Sequence, residues 1–148
     1  MTWLLAVQAA VTLFLAGLIW TIQVVHYPLF AGVGDEQFVA YEAAHNARIT
    51  WLIVVPWAVQ GLTTAAVLLA PPAGVPRWMA LVGAALAATT VLVTVAMSVP
   101  QHVVLADGFD AAAHARLVGT NWLRTLAWTG HGVLALVMLV AHVRTPSA

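Results

Sequence analysis

Cysteine and lysine are both absent from this chain of 148 residues. Without Cys there is no disulfide, no thiolate nucleophile and no cysteine-ligated metal. Without Lys, and with five Arg balanced by five Asp and Glu, the net charge is zero. No basic run is left to engage the phosphates of a nucleic acid, so nucleic acid is excluded as a partner. Charge of either sign is scarce, at 7% of residues, where a soluble domain carries about 25%. What fills the chain instead is apolar: 63% of residues are hydrophobic and the mean hydropathy is +0.97. Such a composition implies the lipid bilayer as solvent and partner. The length allows one domain, residues 1–148.

A membrane helix needs about 20 predominantly apolar residues. Four runs meet that need, at about 3–26, 49–70, 78–99 and 121–143. The first has no basic flank and is too long for a secretory h-region, so it reads as a retained span. The expectation is an all-α integral membrane four-helix bundle with both termini on one side. The short turn Pro71–Arg77 lies on that side, and two longer connections, 28–48 and 103–120, lie on the other. Both connections predict short helical caps. Phe38, Tyr41 and His45 fall at helical spacing in one, His114 and Leu117 in the other, with Asp35 and Asp110 as N-caps. Loop arginines divide two against three between the sides, so the positive-inside rule does not decide. We take both termini as cytoplasmic in a bacterial inner (plasma) membrane.

The chain also repeats itself. His26-x-x-Leu29-x-x-Gly32 closes the first span, and His102-x-x-Leu105-x-x-Gly108 closes the third. His45-Asn46-Ala47-Arg48 has a shortened counterpart in His114-Ala115-Arg116. Two similar hairpins related by an axis along the membrane normal are expected, with His26 and His102 at matching depths.

Six His are many for so apolar a chain. Trp20, Gln23 and His26 share one helical face of the first span; Asn121, Arg124, Trp128 and His131 share one of the fourth. Ionisable groups at such depth face the bundle interior and find partners, which predicts a polar pocket under the long connections. The alternative is that Arg124 snorkels to the headgroups while Gln23, Asn121 and His131 join helices. His26, His45, His102 and His114 are candidate metal ligands, since imidazole suits zinc, copper or iron. Their spacing matches no metal signature, and paired His on different helices would also suit a haem. Loop His hydrogen-bonded at a wet interface are the plain alternative, and His142 is read that way. Trp3, Trp51, Trp78 and Trp122 flank spans as an interfacial belt, whereas Trp20, Trp57 and Trp128 lie deeper.

Four elements then resemble a known family: His26-Tyr27-Pro28-Leu29; Phe38-x-x-Tyr41-x-x-x-His45-x-x-Arg48-Ile49; Pro100-x-x-x-x-Leu105; and Asn121-Trp122-x-Arg124-Thr125. Together they look like a four-span bacterial membrane family of unknown function related to fungal anthrone oxygenases. The likeness covers Trp20 through Val133, and Asn-Trp-x-Arg-Thr is its most specific part; relatives often carry Asn where this chain has His102. The resemblance implies the four-span fold. It also implies oxidation of an anthrone-like carbon acid by dioxygen, without a known cofactor. That chemistry needs a base, for which His26, His102 and His131 are candidates. It also needs donors for a developing oxyanion, for which Arg124, Asn121, Arg48 and Gln23 are candidates. Trp20, Gln23, Arg48, His45 and Trp128 would line the lipophilic, aromatic substrate. Three functions stay open: a small membrane oxygenase or related oxidoreductase, a His-ligated haem or copper protein of electron transfer, and a non-catalytic accessory subunit or lipophilic-ligand binder. The last leaves room for a homo-oligomer or a partner in a membrane complex.

Overall fold

The computed structural model describes residues 1–145; residues 146–148, the end of the expected domain, lie outside the described residues. The chain is an all-α four-helix bundle: α1 (Thr2–Gly32), α2 (Asp35–Leu69), α3 (Arg77–Leu105) and α4 (Ala111–Arg144). All four helices are long and apolar enough to cross a bilayer, and the chain is an integral membrane protein. Neighbours in sequence are neighbours in space: α1 packs on α2 and α4, and α3 on α4 and α2. The α2–α3 seam is the most sparsely packed of the four.

The expected helical caps are present but are not separate elements. Residues 35–48 run without a break into the second span, and residues 111–120 into the fourth. The actual connections shrink to residues 33–34 and 106–110. The reason is helical continuity. A 35-residue helix such as α2 is about 52 Å long at 1.5 Å per residue, well beyond a hydrocarbon core of about 30 Å. The excess projects as a cap, sealed by a cluster of Phe30, Phe38, Leu105 and Leu117, all fully buried. Asp110 does cap its helix, accepting a 2.7 Å bond from the Ala113 amide. Asp35 does not: Gly34 holds the N-cap position and Asp35 is the first helical residue, where its charge complements the helix dipole.

Two helices carry the same irregularity. Residues Ile22–His26 of α1 and Thr94–Ser98 of α3 form π-helical turns. In each, the last wide bond is donated by the residue just before a proline: Tyr27 to the Ile22 carbonyl, Val99 to the Thr94 carbonyl. Pro28 and Pro100 lack the amide that would continue the α ladder, and the register slips ahead of them. These landmarks give the expected repeat a second register. Pro28 and Pro100 stand 72 positions apart, but His26 and His102 stand 76 apart. By the prolines, Ser98 occupies the place equivalent to His26, and His102 lies one turn further along. The His motif sets one register for the repeat and the proline landmark another, four residues away.

At the opposite end the α2–α3 turn is pinned to α4. His142 Nδ1 donates to the Ala73 carbonyl at 2.8 Å. Gly74 adopts φ +78°, where an added Cβ would collide with Thr145 and the Ala141 carbonyl, so only glycine fits. Exposed positions of the spans are mainly apolar, with hydroxyls such as Thr21 and Thr50 bonded to their own helix, while the buried face carries Gln8, Thr12, Gln60, Thr64 and Thr90, an arrangement that suits helices joined by polar contacts in a bilayer.

Candidate functional site

Both π turns face one cavity of about 130 Å³, to which all four helices contribute. Its polar wall consists of Tyr27, His45, Ser98, His102 and Arg124, with Trp128 and the aliphatic side chains of α1 and α2 opposite. A widened turn re-aims the side chains that follow it, which explains why the bulges bracket the site.

One side of the site is a carboxylate–imidazole–phenol chain. Glu42 is fully buried, and its Oε1 accepts from His102 Nδ1 at 2.6 Å and from Asn46 Nδ2 at 3.0 Å. A carboxylate only accepts, so the His102 proton sits on Nδ1 and its Nε2 offers a lone pair. The Tyr27 hydroxyl, 3.1 Å away, donates to it. Glu42 Oε2 has no hydrogen-bond partner. The His45 ring stacks on His102 with centroids 5.5 Å apart, and His45 Nδ1 lies 2.8 Å from His26 Nε2.

The other side is Arg124, 5% exposed. Its Nη1 donates to Ser98 Oγ at 3.3 Å and to Asn121 Oδ1 at 3.1 Å. Asn121 is held in turn by Gln23 Oε1 at 2.8 Å, and Gln23 by the Val118 carbonyl at 3.2 Å. The guanidinium lies 5.2 Å from the Trp128 ring centre, a cation–π contact. Among the described residues no carboxylate reaches ion-pair distance of Arg124, and its Nε is buried without a partner. Arginine stays charged in proteins, so the cavity wall carries an uncompensated cation.

The expected site residues therefore divide. His45, His102, Arg124 and Trp128 line the cavity, while Gln23 and Asn121 position Arg124 from behind. His26 and exposed Arg48 lie in a separate shallow depression with Tyr41, which shares His45 and Ile49 with the cavity. Trp20 is on the outside of the bundle, edge-on to Trp122 and bonded to the Thr129 hydroxyl. His114 donates to the Tyr27 carbonyl at 2.7 Å and ties α4 to the end of α1. His131 is fully buried, away from the cavity lining, between Gln60 (3.1 Å) and Gln8 (3.5 Å). Among the described residues, no three His, Asp or Glu side chains converge as a metal would require. Glu42, Tyr27 and Ser98 are the residues that sequence reasoning passed over. Glu42 is one turn before His45 and Asn46 on α2, a spacing that could have marked it.

No family model, curated protein or solved structure matches the chain.

Proposed function

We propose that this chain is a small membrane oxygenase, or a related oxidoreductase, that takes a proton from a lipophilic aromatic substrate and delivers the resulting anion to dioxygen. The observation that carries the reading is the Glu42–His102–Tyr27 chain ending in a cavity where the Tyr27 hydroxyl stands beside Arg124, a cation with no carboxylate in reach. Glu42 orients His102 and stabilises the imidazolium that forms, as a buried carboxylate does for a general base. The substrate proton passes to His102 Nε2, with Tyr27 as the hydroxyl that shares it. Arg124 meets the oxygen on which negative charge develops. Dioxygen is the oxidant. Taking a hydroquinone to a quinone moves two electrons and two protons to dioxygen and gives hydrogen peroxide. Taking an anthrone-type methylene to a carbonyl moves four electrons and gives water. The resemblance to anthrone oxygenases supports the same chemistry.

Oxygen uptake by protein purified in mild detergent, with a panel of anthrones, phenols and hydroquinones, tests the reading. Uptake should exceed the uncatalysed rate and collapse in His102→Ala. Wild-type uptake in that variant would overturn it. The crowding of the His26, His45 and His102 rings, with centroids 4.7 and 5.5 Å apart, favours His-ligated copper or haem as a second reading. It requires these rings to turn from their present partners, and a visible spectrum with metal analysis distinguishes it. A colourless, metal-poor protein without turnover would leave the accessory-subunit reading. We place the chain in the bacterial inner membrane with both termini cytoplasmic. Single cysteines at Ala73 and Gly34 should label from opposite sides, and labelling from one side would sink that topology.

A further inference from the structure

We propose that the ligand of this site has two parts: a single aromatic ring bearing an ionisable hydroxyl, seated on Arg124, and a long lipophilic chain lying in the groove between α2 and α3. The inference rests on the functional reading above for the chemistry of the ring, but its binding geometry stands on separate observations.

The first is charge. Arg124 is buried with no carboxylate in reach and with Nε unpartnered. Its bonds to Ser98 and Asn121 are to neutral oxygens. A buried cation is stable only when an anion or a full set of acceptors meets it. The oxygen of a phenol supplies that anion once its proton has moved to the His102 side of the cavity.

The second is size. A cavity of about 130 Å³ is comparable to one of roughly 150 Å³ that accepts benzene. It holds one ring and does not hold three fused ones.

The third is the groove. Along the α2–α3 seam runs a channel of about 590 Å³, walled by Trp57, Gly61, Ala65, Ala84, Ala87 and Ala88. That volume falls in the range of ligand pockets, roughly 300–1,000 Å³. Its wall is almost wholly apolar and it opens where the bundle faces lipid.

The fourth is continuity. Thr94, in the π turn of α3, lines both the groove and the cavity. Its hydroxyl is held on the Thr90 carbonyl at 2.7 Å, so it presents no unsatisfied donor at the junction. Trp57 of the groove meets Trp128 of the cavity edge-on, with centroids 5.6 Å apart. Cavity and groove thus adjoin at Thr94, and in the proposal the chain of the ligand passes there, so that a lipid-dissolved ligand arrives sideways without crossing water. A prenylated phenol or hydroquinone has this chemistry; a tail-free phenol or a polycyclic anthrone does not.

Binding to the full-length protein in lipid nanodiscs tests the proposal with two probes, a farnesyl-substituted hydroquinone and the same ring without the chain. Gly61→Leu fills the groove without disturbing the fold, because a Cβ at Gly61 meets nothing within 4 Å. It should weaken the tailed probe by about tenfold through the packing contacts that the chain loses in the groove, and leave the ring-only probe within about twofold. A photoreactive group on the chain should label the Gly61–Leu68 and Ala84–Val91 stretches in wild type and not in Gly61→Leu. Arg124→Lys should weaken both probes. Equal affinity of wild type and Gly61→Leu for the tailed probe would overturn the proposal. So would efficient disulfide cross-linking of Gly61→Cys between two copies, because a second copy would then fill the groove. The two readings fail separately. Groove-dependent binding without oxygen uptake removes the oxygenase and keeps the two-part site. Uptake with tail-free rings, indifferent to Gly61→Leu, keeps the oxygenase and removes the two-part site.

Discussion

The Gln8–Gln60–His131 network, from α1, α2 and α4, and the Glu42–His102–Tyr27–Arg124 site, from all four helices, are built from similar side chains, yet they close differently. In the first, Trp128 Nε1 donates to Gln60 Oε1 at 3.1 Å, which turns the Gln60 amide nitrogen toward His131 Nδ1. His131 Nδ1 is then an acceptor and its proton sits on Nε2. Gln8 Nε2 lies 3.5 Å from that ring nitrogen and Gln8 Oε1 is without a partner; turning the amide over sets the oxygen on the His131 proton and removes the orphan. Gln8 and Gln60 also contact the Thr64 and Thr12 hydroxyls, and Gly83 lets α3 lie close over the ring. His131 is sealed, fully buried and absent from the cavity wall. In the second region a carboxylate oxygen and an arginine nitrogen are left without partners beside an open cavity. A polar network that joins helices uses its hydrogen bonds on itself. One that binds a ligand keeps some in reserve, and it is the reserve rather than the residue types that marks the site.

That contrast can be broken from either side. The largest effect should come from Arg124→Lys, because a point charge does not replace a planar fork aimed at an oxyanion. Oxygen uptake should fall by about 10²–10³-fold, the usual loss for an oxyanion donor, and wild-type turnover would return Arg124 to the class of structural residues. Glu42→Gln comes next. It keeps the shape but offers an amide where His102 needs a fixed acceptor, and about 10–100-fold in turnover should be lost, as for other partners that orient a working imidazole. An unchanged rate would leave Glu42 a helix tie.

On the sealed side, His131→Ala should cost stability rather than turnover. Removing a buried partner from Gln8 and Gln60 should lower unfolding free energy by about 1–3 kcal/mol, measured by denaturation in detergent, with uptake kept within about twofold. Turnover as low as in His102→Ala, with stability intact, would merge the two regions into one site. Gln8→Leu should have the smallest effect, about 0.6 kcal/mol, typical of an interhelical hydrogen bond in a bilayer. A loss several times larger would mean that the sealed network is more cooperative than its separate bonds.

Much of this was legible in the chain and some was not, for reasons particular residues make plain. Arg124, Asn121 and Gln23 stood out because polar groups inside apolar runs must face a partner, and the structure does bring them together. Gln8 and Gln60 obey the same rule but stand 52 positions apart, and nothing local pairs them with each other or with His131. Glu42 was one acid among five, all outside the apolar runs. Only the continuation of α2 as a single helix buries it against His102 of α3. The His motif did not reveal the π turn that precedes each proline, because a widened turn is a matter of backbone hydrogen bonds and leaves no periodicity in the residues.

Composition and apolar run length alone determined that this is a membrane protein of four helices, because a bilayer leaves a chain of this kind almost no other way to satisfy its backbone. Tertiary structure alone decided which polar residues are sealed, which keep an unpartnered atom, and that both π turns open on one cavity that adjoins a lipid-facing groove at Thr94. The physical reason is range: backbone satisfaction is local to each helix, while the partner of a buried side chain is chosen by packing between helices far apart in sequence.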